Sequence, residues 1–159
     1  MRRVGTWLVP AVLVALIAVV AVLSVQRWQD RTAARLEDAP ASVGEAAARD
    51  FFTLDHRTID EDIARVRASA TGEFAAQYEE QAAELQQSVR EKQLVLTATV
   101  PESGTALEYL GDDQAWVLVS VDVHTVGAGG VSDDGRYRTR VVLERVDDRW
   151  LVSRLEQVG

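Results

Sequence analysis

The amino-acid sequence predicts an α+β fold: an N-terminal transmembrane helix, followed by three helices packed on a curved antiparallel sheet. Three patterns support this prediction. Residues 4–26 contain no charged side chain, residues 42–89 repeat apolar side chains at helical spacing, and residues 94–155 show the two-residue alternation of strands. A chain of 159 residues has room for one such domain beside an anchor.

The predicted anchor spans residues 7–28. Residues 8–23 are apolar throughout, and at about 1.5 Å per residue this run with its flanks crosses a hydrocarbon core of about 30 Å. Trp7 and Trp28 stand at its two ends, where indole rings favour the membrane interface. A cleaved signal peptide is the alternative, but the apolar run is longer than usual for one, and no small-x-small cleavage site follows it directly.

Four segments are predicted along the chain. Residues 1–6 form a short cytoplasmic tail, 7–28 the span, 29–41 a helical stalk that ends near Pro40, and 42–159 an extracytoplasmic α+β domain. The short tail and the acidic C-terminal part favour an inside N-terminus. The predicted localisation is therefore the cell membrane, single-pass, with the C-terminal domain outside the cytoplasm.

Charge and composition exclude several classes of partner and site. Of 17 Lys and Arg residues, Arg2, Arg3 and Arg27 border the anchor, which leaves 14 basic against 25 acidic residues beyond it. This acidic part repels phosphate backbones and anionic headgroups, so nucleic acid is excluded and contact with the lipid bilayer is assigned to the anchor. The absence of cysteine excludes a disulfide framework, a thiol nucleophile and a Cys-based zinc site.

Three amphipathic helices are predicted beyond the stalk. Ser42-Val43-Gly44-Glu45 and Thr58-Ile59-Asp60-Glu61 both match the capping box, so each marks a helix start. Thr71-Gly72 separates the second helix from a longer third one. The apolar stripes are Ala47, Phe51 and Leu54 in the first helix, Ile59, Ile63, Val66 and Ala70 in the second, and Phe74, Tyr78, Ala82, Leu85 and Val89 in the third.

An antiparallel meander is predicted to follow the helices. Its strands are residues 94–100, 106–110, 116–124, 136–145 and 149–155, separated by Gly, Pro and Asp turns. In the central hairpin, the alternation favours a register that pairs Val119 with Val141 and Asp122 with Arg138. The row of Val117, Val119, Val121 and Val123 then faces the core, and Asp122 lies on the opposite, charged face.

Several sequence segments resemble those of one known family. The apolar span is followed by residues 53–60 (TLDHRTID), then 70–74 (ATGEF) with Gln77-Tyr78, and finally 148–153 (DRWLVS). In this order and spacing they resemble the actinobacterial Mce-associated membrane proteins. The resemblance implies a cone-shaped domain similar to nuclear transport factor two and to the periplasmic bridge proteins of type IV secretion. It also implies partnership with mammalian-cell-entry (Mce) complexes, which import lipids or sterols through the cell envelope.

Candidate catalytic residues need attention because cone-shaped folds also host enzymes. Asp122 and His124 lie two positions apart on one strand, so the carboxylate could orient the imidazole as a general base. The alternation of the strand, however, puts both side chains on the face opposite the core. The Tyr78 hydroxyl could act as an oxyanion donor, although its place in the third stripe predicts a core side chain. Asp55-His56 is predicted to end the first helix.

Two acidic clusters are interpreted as structural features and not as cation-binding sites. Asp60-Glu61-Asp62 fits the first turn of a helix, where acids favour the dipole, and is not interpreted as a cation site. Asp133-Asp134-Gly135 lacks the alternating ligands of a calcium loop and is predicted to be a turn. No Gly-rich phosphate loop, Ser nucleophile elbow or zinc-ligand spacing is present in the sequence.

The expected function is therefore that of a non-enzymatic accessory or scaffold subunit, without a cofactor or metal, associated with an Mce-type lipid or sterol importer. The alternative is a cone domain that binds or transforms a lipid-like apolar ligand. In that case the side chains expected to line its cavity are Phe51, Ile63, Tyr78 and Leu85.

Overall fold

The computed structural model describes residues 39–159. The predicted tail, the span with its interface anchors Trp7 and Trp28, and most of the predicted stalk lie outside these residues. Within the described part, no helix combines the length and apolar character needed to cross a membrane.

Three helices and six strands make up the described part, together with a short 3-10 turn. Helix α1 occupies residues 39–52. It is followed by β1 (Leu54–Asp55), α2 (Ile59–Ser69), α3 (Gly72–Glu91), β2 (Val95–Thr99), β3 (Thr105–Leu110), β4 (Gln114–Val126), β5 (Ser132–Val146) and β6 (Arg149–Gln157). All strands join one antiparallel sheet. The predicted α+β class, three helices on a curled antiparallel sheet, is confirmed.

The sheet is not the simple meander that the sequence predicts. Both β2 and β3 pair with the same edge of β4, β2 along its second half and β3 along its first half. The chain therefore continues in one direction past Pro101 instead of reversing. Two hydrogen bonds fix this course: Gly104 N–H donates to the Pro101 carbonyl (2.8 Å), and Ser120 N–H donates to the Gly104 carbonyl (2.7 Å).

The predicted register of the central hairpin is wrong, but each side chain lies on the predicted face of the sheet. Val119 pairs with Thr139, and Asp122 pairs with Arg136. The reason is the turn: Gly127 N–H donates to the Val131 carbonyl (2.9 Å), so the hairpin reverses around Gly129, whose φ is 78°. A shift of two residues leaves every side chain on its face. The predicted core row on β4 is accordingly buried.

The acidic segment Asp133-Asp134-Gly135 belongs to a strand, because β4 and β5 are longer than predicted. Asp133-Asp134-Gly135 was predicted as a turn but lies within β5, where Asp134 pairs with His124 and Gly135 with Val123. The turn itself is formed by the glycine-rich residues 127–131. Glycine adopts positive φ at little steric cost, so the chain reverses at these residues. The two aspartates that follow therefore pair with β4 as part of β5.

The boundaries of α1 differ from the prediction at both ends. The helix already includes Pro40, and the Ser42 hydroxyl donates to the Ala39 carbonyl within it (2.9 Å), so Ser42 is not its N-cap. At the other end, Asp55-His56 does not terminate the helix. Leu54 and Asp55 instead form strand β1 against β2, and His56 N–H donates to the Leu94 carbonyl (2.9 Å).

The start of α2 after Thr58 is confirmed, but the capping box is not. Thr58 makes no side-chain cap hydrogen bond. The Asp62 carboxylate lies on the inner side of the first turn instead and accepts a hydrogen bond from Asp55 N–H (2.8 Å). This contact ties α2 to β1.

Two hydrophobic clusters fill the space between the helices and the sheet. One joins α1 to the inner faces of β4 and β5, and the other joins α2, α3 and β1. Phe74 and Leu96 pack against both clusters. The core is therefore continuous from the helix layer to the sheet.

Helix α1 lies close against β4 at Gly44. A Cβ at this position would lie 2.7 Å from the Cβ of Val117, a side chain that is 0% exposed. Because neither the backbone of β4 nor this buried valine can move aside freely, glycine is required by the close approach.

We expect Gly44→Ala to destabilise the domain by about 2 kcal/mol, as overpacking of a tight core does. In an unpacked helix the same change would stabilise by about 1 kcal/mol. Urea unfolding of the compact unit Glu37–Gly159 measures the effect. The double variant with Val117→Ala should be less destabilised than the sum of the single changes. Additive or stabilising behaviour would contradict the close contact.

Candidate functional site

The two acid/base candidates of β4 lie on the outer face of the sheet, but they do not contact each other through a shared hydrogen bond. Asp122 is held by Arg136 of β5, whose Nε and Nη2 donate to its two carboxylate oxygens at 2.5 and 2.8 Å. His124 Nδ1 lies 2.6 Å from Oδ1 of Asp134. Each residue thus has its own partner directly across the ladder.

These two pairs border a pocket of about 530 Å³. Thr97 and Thr99 of β2 contribute its other wall. Because β2, β4 and β5 are neighbouring strands, side chains of the same parity meet there. The pocket therefore lies on the outer face of the sheet, and Val123 and Gly135 also border it.

The hydrogen bonds to Asp122 disfavour a role for this carboxylate as a general base. Hydrogen bonds from Arg136 lower the pKa of Asp122 below its ordinary value of 3.8. A carboxylate with a lowered pKa is a poor proton acceptor at neutral pH. The described residues contain no group of three or more His, Cys, Asp or Glu side chains arranged to hold a metal ion.

The four residues predicted to line an apolar cavity occupy one cluster between the helices. Ile63 and Tyr78 are buried, while Phe51 and Leu85 pack against them as half-buried side chains. The Phe51 and Tyr78 rings lie 6.1 Å apart between centroids, and Phe74 approaches Tyr78 at 5.9 Å. The structure brings the predicted residues together; their role as the lining of a ligand cavity stays a prediction.

The hydroxyl of Tyr78 is the unusual group in this cluster. It is buried and has no hydrogen-bond partner among the described residues. Burial raises the pKa of Tyr78 above 10.0, so its phenol is neutral at physiological pH. An unpaired buried hydroxyl costs free energy that the surrounding aromatic contacts must offset.

The three acids Asp60, Glu61 and Asp62 lie in the first turn of α2 as predicted, but Asp62 differs from the other two. Its side chain is buried, at 3% exposure. Besides accepting from Asp55 N–H, its carboxylate pairs with Arg65 at 2.5 Å. The signal was present in the sequence, because Asp62 shares the helical face of Ile59, Ile63 and Val66. The two other acids of that turn are exposed, and Asp60 pairs with Arg90 of α3 at 2.6 Å.

Comparison with known proteins gives a match over nearly the whole chain. The model of a family described as "Uncharacterized protein Rv1363c/MT1408-like" matches residues 4–159. The protein Rv1363c of Mycobacterium tuberculosis is 28% identical over 135 residues, which cover 82% of this chain and 51% of that protein. The chain therefore spans about half the length of this curated relative.

Several solved structures with a similar fold are described as type IV secretion proteins or periplasmic domains. The periplasmic domain of DotI matches with a TM-score of 0.65 at 15% identity, over 77% of this chain and 95% of that one. An IcmL-like type IV secretion system protein from Legionella pneumophila gives 0.62 at 11% identity, over 74% and 88%. CagV, a VirB8 homolog from Helicobacter pylori, gives 0.57 at 9% identity, over 74% and 98%. At such identities the likeness concerns the fold, and it confirms the predicted similarity to type IV secretion domains.

We expect Tyr78→Phe to leave the free energy of unfolding unchanged or to raise it slightly, because the hydroxyl has no protein partner to lose. Thr139→Val is the matched control, since the buried Thr139 hydroxyl donates to the Glu156 carbonyl at 3.0 Å. Its loss should cost about 1 kcal/mol. Urea unfolding compares the two. A clear loss for Tyr78→Phe would reveal a partner for the hydroxyl and would favour the ligand-binding alternative.

The Asp122–Arg136 pair predicts a pH-dependent difference in stability. A carboxyl group whose pKa is lower in the folded than in the unfolded chain stabilises the fold above the unfolded pKa, here about 3.8, and loses this contribution as the pH falls further. The stability gap between wild type and Asp122→Asn should therefore narrow below that pH. Unfolding in urea at neutral and acid pH measures it. A gap that persists in Arg136→Gln would exclude Arg136 as the cause.

Proposed function

This chain belongs to the Rv1363c/MT1408-like family, and we propose that it is a non-enzymatic scaffold subunit of the cell envelope. The domain of residues 42–159 stands outside the cytoplasm, and residues 7–28 hold it to the bilayer as a single transmembrane helix, with Trp7 and Trp28 at the two interfaces. Its proposed partner is an Mce-type importer of lipids or sterols, whose assembly it stabilises without any turnover of its own.

The observation that carries this proposal is the shared fold. Two of the similar structures are a periplasmic domain, that of DotI, and a VirB8 homolog of a type IV secretion system, CagV. A domain of the same architecture, tethered by one helix, suits a role in which contacts with other subunits matter and chemistry does not.

The charge-paired outer face supports the absence of turnover. Asp122 and His124, the best acid/base candidates, are each engaged by a neighbouring side chain of β5. Both pairs are exposed to solvent, so they lack the dry surroundings in which enzymes shift pKa values for catalysis. The Tyr78 hydroxyl, the third candidate, is enclosed by packed aromatic rings.

The link to Mce importers is supported by the sequence segments that resemble Mce-associated proteins. Residues 53–60 form β1 and the approach to α2, 70–74 join α2 to α3, and 148–153 belong to β6 and its turn. Two of them meet in space, because Thr71 N–H donates to the Val152 carbonyl (2.8 Å). The resembling segments thus include a contact between the helix layer and the edge of the sheet.

We expect deletion of the gene to lower the amount of assembled importer and its lipid uptake, because a bridging subunit stabilises its partners by binding them. Complementation with His124→Ala or Asp122→Ala should restore both quantities to the wild-type level. Quantitative mass spectrometry of membranes and uptake of a labelled lipid measure the outcome.

The opposite results identify the alternative. Unchanged importer abundance and uptake after deletion would refute the scaffold role. Loss of uptake in the two substituted proteins, at normal abundance, would instead indicate that the domain transforms a ligand.

A further inference from the structure

The outer face of the sheet carries an aromatic platform, formed by Tyr109 of β3, Trp116 of β4 and Arg140 of β5. Tyr109 and Trp116 pair across the ladder with their ring centroids 5.3 Å apart. The guanidinium carbon of Arg140 lies 5.9 Å from the centre of the Trp116 ring. Tyr109 and Trp116 are nevertheless 47% and 38% exposed. Three strands thus place two partly exposed aromatic rings and one guanidinium side by side on the outer face.

Neighbouring side chains orient two members of this platform, Arg140 and Trp116. Arg140 Nε donates to Glu108 at 2.6 Å, and its Nη1 lies 3.7 Å from Glu156. Trp116 Nε1 donates to the side-chain oxygen of Gln114 at 3.2 Å. A surface whose rotamers are already fixed loses less conformational entropy when it binds a partner.

Packing beneath the platform shows that it is more than three isolated side chains. Val142 is directly opposite Trp116 on the outer face of β5 and is only 6% exposed. It belongs to neither of the two core clusters found among the described residues. The outer face therefore has apolar packing of its own under Trp116.

A positive charge lies next to the platform. Arg136, Arg138 and Arg140 follow each other on the outer face of β5, and the first and last are paired with carboxylates. Arg138 is exposed, lies opposite Ser120, and takes part in none of the ion pairs found in residues 39–159. It is a solvent-facing guanidinium on a domain that holds 22 acidic against 12 basic residues over residues 39–159.

We infer that the aromatic platform and Arg138 form a docking surface for a protein segment that presents an apolar side chain and a carboxylate. This inference rests on the proposed function, since the segment would belong to the envelope importer. Tryptophan, tyrosine and arginine are the residues that dominate binding energy at protein interfaces, and an arginine fork matches a carboxylate bidentately. An anionic bilayer fits less well, because its extended negative surface would face the 22 acidic residues of the domain, whereas a single carboxylate contacts only Arg138 and its immediate neighbours.

The first test compares variants of the full-length tagged chain in its native membrane. Arg138→Glu and Trp116→Ala should each reduce the importer recovered with the chain by about tenfold or more, as loss of an interface hot spot does. Arg149→Glu reverses another exposed arginine without an ion pair in the described residues, and Val131→Ala truncates an apolar residue that is 74% exposed. Both controls should recover the wild-type amount.

A folding defect in one variant can be distinguished from loss of binding. Arg138 has no ion-pair partner in residues 39–159 to lose, so Arg138→Glu tests the surface even if Trp116→Ala lowers the abundance of the chain. Wild-type recovery with both variants would overturn the inference and leave the scaffold function intact. If the wild-type chain itself recovers no importer, and deletion leaves importer abundance unchanged, the proposed function fails and this inference fails with it.

The second test identifies the occupant. A photoreactive amino acid in place of Ser120, a partly exposed residue of β4 directly opposite Arg138 on the outer face, should cross-link the chain to an importer subunit in intact cells. The cross-link should weaken when Arg138→Glu is added. A cross-link to a second copy of the chain or to lipid, in place of the importer, would overturn the inference.

Discussion

Burial of the valine row on β4 is the interaction on which the rest of the structure depends. Val117, Val119 and Val121 are fully buried, and each contributes about 1.5–3 kcal/mol relative to an exposed position. β4 is also the strand that pairs with β2, β3 and β5. Helix α1 reaches it closely only because position 44 has no side chain. Removing this row would therefore disconnect both the helix layer and most of the sheet.

The same alternation decides where polar chemistry is available. Since successive side chains of a strand point to opposite faces, burying the valines leaves Trp116, Asp122 and His124 on the outside. The acid/base candidates, the pocket of about 530 Å³ and the aromatic platform all follow from this single choice of face. The domain thus concentrates its distinctive side chains on a surface that other molecules can reach, which agrees with a role in binding other subunits.

Ion pairs on the outer face of the sheet have a different effect from the buried contacts of Asp62 between α2 and β1. The outer pairs are exposed to solvent, where such contacts contribute little to stability; their effect is to fix the orientation of the side chains around the pocket and the platform. Asp62 is different because its carboxylate is buried and satisfied by Asp55 N–H and Arg65. Loss of either partner would leave a buried charge in need of solvation, so this contact holds α2 against β1.

The local periodicity of the sequence was enough to predict the buried faces of the helices and strands. It was not enough to predict which side chains come together on the surface. The two-residue period gave the faces of β4 and β5 correctly, and the helical period gave the stripe of α3, because both patterns record burial directly. Neither pattern records which strand pairs with which. The register depended on a glycine turn, the course of β2 and β3 on hydrogen bonds around Gly104, and the platform on contacts among three strands. These are contacts between residues distant in sequence, and only the tertiary structure decides them.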